Sequence, residues 1–190
     1  MSYEFTVNWS LPLAGSLASA RIAALFQKPI NVLEIGVFEG RSSVMLLEKM
    51  QPESAYVGVD RWYSAPDHLS QDVERRARSN IKQAVDVRGI KTLLVKNYSH
   101  IAVPQLRTPF DFIYIDGDHS FEGALQDTLD AWPKLKVGGV MLWDDARWHA
   151  VPMAHYGPVG HAVLDFFRQK RGCLARFIDE DQIAVVKLKE

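Results

Sequence analysis

Cysteine is nearly absent from this chain: Cys173 is the only one among 190 residues. A single thiol excludes an internal disulfide framework and any multi-cysteine zinc site. Excess charge is missing as well. Lys and Arg total 22 against 23 Asp and Glu, a formal net charge of -1, so no strong field favours nucleic acid or an anionic membrane. No apolar run approaches the roughly 18 residues of a membrane span. The opening MSYEFTVNWS has neither the basic start nor the apolar core of a secretory leader. The expectation is therefore a cytoplasmic protein. Internal repeats, low-complexity tracts and Gly/Ser linkers are also lacking. Neither G-x-G-x-x-G nor G-K-[ST] occurs, so the dinucleotide fingerprint and the P-loop are both excluded.

What remains is an alternation of short apolar runs and amphipathic stretches. Strands are predicted over 31–37, 55–60, 91–95, 110–115 and 139–143. Helices are predicted over 41–50, 70–86, 120–135 and 160–170, with a further one at about 13–26. The closing runs CLARFI and QIAVVKL, within 173–188, read as an antiparallel hairpin at one edge. Strands that alternate with helices imply an α/β fold with a mostly parallel sheet covered on both faces. The chain reads as one domain over 1–190, with a helical segment over 1–29 and an α/β core over 30–190. Loops 61–69 and 146–159 follow strand C-termini, where ligands bind in open α/β sheets. Both are rich in aromatics and histidine.

Two of the predicted strands end in carboxylates. FDFIYIDGDHS, residues 110–120, runs into Asp116, Asp118 and His119; GGVMLWDD, residues 138–145, runs into Asp144 and Asp145. All C-terminal strand ends of a parallel sheet share one rim, so Asp116, Asp144 and Asp145 are expected to converge. Three carboxylates together repel, and without a cation some must take up protons. A hard divalent cation such as Mg²⁺ accepts such oxygens. At the other end of the core, E-I-G-V-F-E-G (34–40) follows a strand and opens a helix. Gly36 allows a tight turn, and Gly40 sits at the helix start, where free amides favour negative charge. Asp60 ends the next strand, where a carboxylate suits two ribose hydroxyls.

On these residues the chain resembles the class I S-adenosylmethionine-dependent methyltransferases, over roughly 30–188. Within them, IDGDHSFEGALQDTLDAWPKLKVGGVMLWDD is similar to the metal-dependent small-molecule O-methyltransferases. The nearest likeness is the group of macrocin and mycinamicin sugar O-methyltransferases and cephalosporin-type relatives; catechol and caffeoyl-CoA O-methyltransferases look more distant. The resemblance implies a Rossmann-like doubly wound sheet. It implies that Glu34 and Gly36, with Gly40 beside them, line the methionine end of the cofactor, that Asp60 holds the ribose and that Ser99 lies near the adenine. It also implies that Asp116, counted with the cofactor site as well, joins Asp144 and Asp145 as metal ligands, while His119 is the general base. The acceptor implied is a small hydroxylated molecule such as a sugar, a glycosylated natural product or a polyphenol. A homodimer is compatible, since the family is often dimeric.

Plainer readings stand beside these. Asp118 would cap the helix near Ser120, His119 would be a turn histidine, and Asp145 would bond to its own loop. A metal-free enzyme would use His119 as base with Asp116 orienting it, and a non-catalytic cofactor-binding subunit would use neither. Trp62, Trp143 and Trp148 would stack on a ring or simply pack, with Trp143 in the core. His149, His155 and His161 lack zinc spacing. Arg75, Arg76 and Arg78 read as a solvated helix face, and Cys173 as buried. Nucleic-acid methylation is disfavoured because the chain has no N/D-P-P-Y/F motif and no basic face.

Overall fold

A computed structural model describes residues 3–7, 13–62, 72–86, 88–150, 156–169, 174–177 and 181–189. Its strands are β1 (Asn31–Ile35), β2 (Ala55–Asp60), β3 (Lys91–Lys96), β4 (Phe110–Ile115), β5 (Leu135–Trp143), β6 (Leu174–Phe177) and β7 (Ile183–Val186). Its helices are α1 (Leu13–Ala18), α2 (Ala20–Leu25), α3 (Arg41–Lys49), α4 (Val73–Val85), α5 (Ser99–Gln105), α6 (Phe121–Ala131) and α7 (Pro158–Gln169). The strands form one sheet in the order β3-β2-β1-β4-β5-β7-β6. Strands β1 to β5 pair in parallel, and β7 runs antiparallel between β5 and β6. The fold is the mostly parallel doubly wound sheet with an antiparallel C-terminal hairpin that the sequence implied.

Strand alternation assigns each side chain to a face. Val32, Tyr56, Phe112, Tyr114, Val140 and Leu142 turn to the face covered by α1 to α4. Leu33, Ile35, Val59, Ile113, Ile115 and Trp143 turn to the face covered by α5, α6 and α7. Residues Leu13, Leu17, Ile22 and Phe26, from the N-terminal helical segment, belong to the first of these cores. Among the described residues no helix is long and apolar enough to cross a membrane.

Several boundaries differ from expectation for local reasons. The helix expected over 13–26 is broken at Ser19, whose backbone is extended (ψ 137°). The helix expected over 120–135 ends at Ala131, and Pro133 sits in a short 3₁₀ turn, Trp132–Lys134, leading into β5. β5 therefore begins at Leu135, not 139. Helix α5 was not anticipated: it has only two buried residues, Ala102 and Val103, and carries Pro104, so it has almost no readable period. Cys173, His155 and loop residues 63–69 lie outside the described residues.

The strand order reverses between β1 and β4, which makes the rim above them the topological switch point where such sheets bind ligands. A cleft of about 720 Å³ opens there, with Gly36, Asp60, Ser99, Gly117, His119 and Trp148 in its walls.

Candidate active site

The turn after β1 is built by Gly36 and Asp60. Gly36 adopts φ +89°, and a Cβ there would fall 1.9 Å from the Asp116 carbonyl oxygen. Glycine is therefore required by the close approach of the β4 end, whose Asp116 amide donates to Ile35 O. Asp60 spends its carboxylate on backbone: Oδ2 accepts from the Val37 and Phe38 amides (both 2.9 Å) and Oδ1 from the Trp62 amide (2.7 Å). It fixes the turn that forms one wall of the cleft. A carboxylate offers about four acceptor positions, so one remains open.

Glu34 does not face this cleft. Ile35 lines it, and Glu34, one residue earlier on the strand, points to the opposite face of the sheet. There it is fully buried and accepts hydrogen bonds from the hydroxyls of Ser42, Ser43 and Tyr56, tying β1 to α3 and β2. Burial raises its pKa to about 7 against the lowering effect of those three donors. Gly40 is likewise buried at the start of α3, against Ala77 and Ile81 of α4, and is outside the cleft wall. The methionine-end placement that the resemblance implied for Glu34 and Gly40 thus meets two residues that brace the turn from behind. Gly36 is the member of that group that reaches the cleft.

At the other end of the cleft the strand-end carboxylates gather around His119. Its Nε2 lies 3.2 Å from Asp116 Oδ1 and its Nδ1 3.3 Å from Asp145 Oδ2. Trp148 meets the imidazole edge-on, with centroids 4.7 Å apart. Asp145 holds a left-handed backbone (φ 54°), an uncommon state for a non-glycine residue. Asp144 stands behind the group and is nearly buried. Its Oδ2 accepts from the Tyr114 hydroxyl and its Oδ1 from the Asp145 amide at 2.9 Å. Tyr114 also reaches Asp116 Oδ2 at 3.4 Å.

The electrostatics follow from this crowding. Burial, reinforced by the charges of Asp144 and Asp145, pushes the Asp116 carboxyl well above its usual range, and the hydrogen bond from His119 only partly offsets it. Burial also raises Asp145, helped by Asp144 and Asp181 and opposed by His119. For His119, burial lowers the pKa, but the hydrogen bond to Asp116 and the charges of Asp116, Asp145 and Asp144 together raise it. Carboxylates at both ring nitrogens thus stabilise a proton on His119 against the effect of burial.

Asp116, His119 and Asp145 each offer one ligand atom, all within 4.8 Å of one another. Two carboxylates and an imidazole, half-buried and mutually repelling in their carboxylate pair, fit a divalent cation. The set differs from the expected Asp116, Asp144 and Asp145: His119 stands in place of Asp144, whose oxygens accept from the Tyr114 hydroxyl and the Asp145 amide. Asp118 acts locally, accepting from the Ser120 amide at 2.9 Å, while Ser120 is the N-cap of α6 through the Gly123 amide at 3.0 Å. Ser99 lies at the start of α5 in the cleft wall.

A family model described as a methyltransferase domain matches residues 33–146, the segment that carries β1 through the strand-end carboxylates. The chain belongs to this family. It carries a methyltransferase domain. Solved structures of similar fold include the SAH-bound methyltransferase PaMTH1 of Podospora anserina, at TM-score 0.68 and 18% identity over 96% of this chain and 80% of that one. The O-methyltransferase NovP superposes at 0.68 with 17% identity, covering 92% and 80%. An O-methyltransferase of Bacillus cereus in complex with SAH gives 0.61 with 19% identity, covering 94% and 83%. A curated relative, an uncharacterised protein of Acanthamoeba polyphaga mimivirus, is 24% identical over 134 residues, 67% of this chain. The chain spans 58% of that relative's length.

Sequence reasoning missed two residues of this methyltransferase site. Tyr114 bridges Asp116 and Asp144, and its place two residues before Asp116 on one strand face was the available signal. Asp127 lines the cleft from α6 and is buried. With Ala124, Thr128 and Ala131 it marks a buried stripe at helical spacing, which the sequence displays once the helix is placed.

Proposed function

We propose that this methyltransferase transfers the methyl group to a hydroxyl of a small molecule, a sugar, glycosylated natural product or polyphenol, at the end of the cleft marked by Asp116, His119 and Asp145. The observation that carries the reading is this cluster itself: a half-buried group of acids around one imidazole, beside the turn that Gly36 and Asp60 form. Asp60, with one acceptor position left, would take a ribose hydroxyl, and Ser99 would face the base. A divalent cation would be held by Asp116, His119 and Asp145, and when bound it would supply Lewis-acid activation of the acceptor hydroxyl. Asp144, fixed by Tyr114, orients Asp145 through the amide it accepts. Trp148 against His119 excludes water from one side of the imidazole. Positioning of donor and acceptor then carries most of the rate, since oriented pairs reach effective molarities of roughly 10⁵ M or more.

The acceptor side has a candidate wall. A second cavity of about 560 Å³ is lined by Phe121, His149, Tyr156 and His161. Phe121 and His149 are each one residue from Ser120 and Trp148 of the cleft, and aromatic and imidazole surfaces suit a ring-bearing acceptor. An intracellular setting and a homodimer belong to the same proposal.

A metal-free variant is favoured by one specific observation, the bridging of His119 by two carboxylates. Asp116 and Asp145 would then orient and charge-stabilise the imidazole as it takes the hydroxyl proton. Mn²⁺ or Mg²⁺ titrated calorimetrically into the wild type and into Asp145→Ala separates the two. Metal binding that the substitution removes supports the metal-assisted reading. Absence of binding, together with hydroxyl methylation that survives chelator, overturns it in favour of the His119 base.

A further inference from the structure

One buried acid in the cleft has no role in the chemistry above. Asp127, on the inner face of α6, is 3% exposed, and its Oδ2 has no hydrogen-bond partner among the described residues. The Ser99 hydroxyl, from the start of α5, favours the charged form of the same carboxylate. Gly117 leaves the space in front of it open: a Cβ there would lie 3.0 Å from Oδ2 and 3.2 Å from Ile35 Cγ2. Tyr98 and His100 flank Ser99 in the cleft wall, their rings 5.5 Å apart and both exposed. A buried carboxylate oxygen without a donor costs free energy comparable to a lost hydrogen bond, so such a group at a cleft wall asks for an N–H from a ligand.

We infer that Asp127 is a specificity-determining residue for the donor's base, its Oδ2 accepting a hydrogen bond from the exocyclic amino group of the adenine. The inference rests on the proposed reading of the cleft. The reactive methyl must lie toward the Asp116–His119–Asp145 cluster, so the base extends the other way, past Asp60, to the walls made by α5 and α6. Aromatic rings beside one buried acceptor supply what a purine needs: faces to stack on and an acceptor for one edge. A carboxylate at that edge selects an amino-bearing purine and disfavours one that presents no donor. Burial raises the Asp127 carboxyl to about 6, with Asp118 and Asp130 adding to it and Ser99 and His100 opposing. A donor from the ligand would relieve the same penalty.

The test compares binding of S-adenosylhomocysteine with its analogue lacking the 6-amino group, by calorimetry on the full chain. The wild type is expected to prefer the amino form by about 10-fold or more, the reach of one buried hydrogen bond. Asp127→Leu should reduce that preference to within about 2-fold, while Asp127→Asn, which keeps an acceptor oxygen, should retain it. Equal binding of the two ligands by the wild type overturns the assignment without any variant, and means that water satisfies Oδ2. A parallel loss of both ligands in Asp127→Leu, with the preference unchanged, also overturns it, by moving Asp127 to another part of the donor. Failure of the wild type to bind S-adenosylhomocysteine at all refutes the cleft reading, a distinct result.

Discussion

Replacing Glu34 by glutamine should make the protein more stable at neutral and alkaline pH and leave it unchanged in acid. Glu34 is fully buried behind the β1 turn, with a pKa of about 7. An exposed glutamate in the unfolded chain titrates near its ordinary value of about 4.3. The folded pKa is the higher one, so Glu34 stabilises the native state fully below a pH of about 4.3, and that contribution is lost as pH rises through about 7. The difference of roughly two to three pH units corresponds to about 4 kcal/mol at most. Glutamine keeps the volume, an oxygen for the Ser43 and Tyr56 hydroxyls and an amide N–H that the Ser42 hydroxyl can accept by rotating, and it carries no charge to desolvate. Urea unfolding of both proteins at a series of pH values from about 4 to about 8 reads the effect, and subtracting the two curves cancels every other titrating group. The Glu34→Gln variant should match the wild type at the acid end and exceed it by about 1–3 kcal/mol at the alkaline end. A difference that stays constant across pH, or a variant less stable at the alkaline end, would refute the reasoning.

Other expectations concern the groups that shape the site. Asp60→Ala removes the acceptor of three backbone amides; it should cost about 1–3 kcal/mol in urea unfolding and weaken donor binding. Gly36→Ala sets a Cβ against the Asp116 carbonyl and at positive φ; it should destabilise by about 2 kcal/mol or more and be seen as a lowered Tm. Arg76 pairs with Glu39 at 2.7 Å, both nearly buried, and Glu39 in turn accepts from the Thr6 amide at 2.8 Å. Arg76→Met should therefore cost roughly 3 kcal/mol and increase hydrogen exchange at Thr6. His119→Ala should lower turnover by roughly 10²–10⁴-fold if His119 moves the proton; an unchanged rate removes it from that role.

The architecture was legible because strand alternation and turn glycines are local signals. β4 was read to its last residue, since five of its six side chains are aromatic or β-branched. The rim carboxylates were legible for the same reason: a parallel sheet brings strand ends together wherever they lie in the chain. Glu34 shows where this fails. Its motif named the right turn, but the pleat sends it to the far face, a consequence that the motif does not carry. Asp144 and Asp145 illustrate a second limit. Adjacent in sequence, they separate because the chain turns left-handed at Asp145 and because Tyr114 claims Asp144. Helix α5 was hidden by its shortness and Pro104, and Arg76 was read as solvated because its partner Glu39 lies in a different element.

The central claim is that the cleft over β1 and β4 binds the methyl donor through the turn held by Asp60. Calorimetric titration of S-adenosylhomocysteine into the purified chain tests it most directly. Saturable one-to-one binding, weakened by about 10-fold or more in Asp60→Ala at a pH where that variant remains folded, is the expected result. Binding unaffected by Asp60→Ala, or no binding by the wild type, would contradict the account.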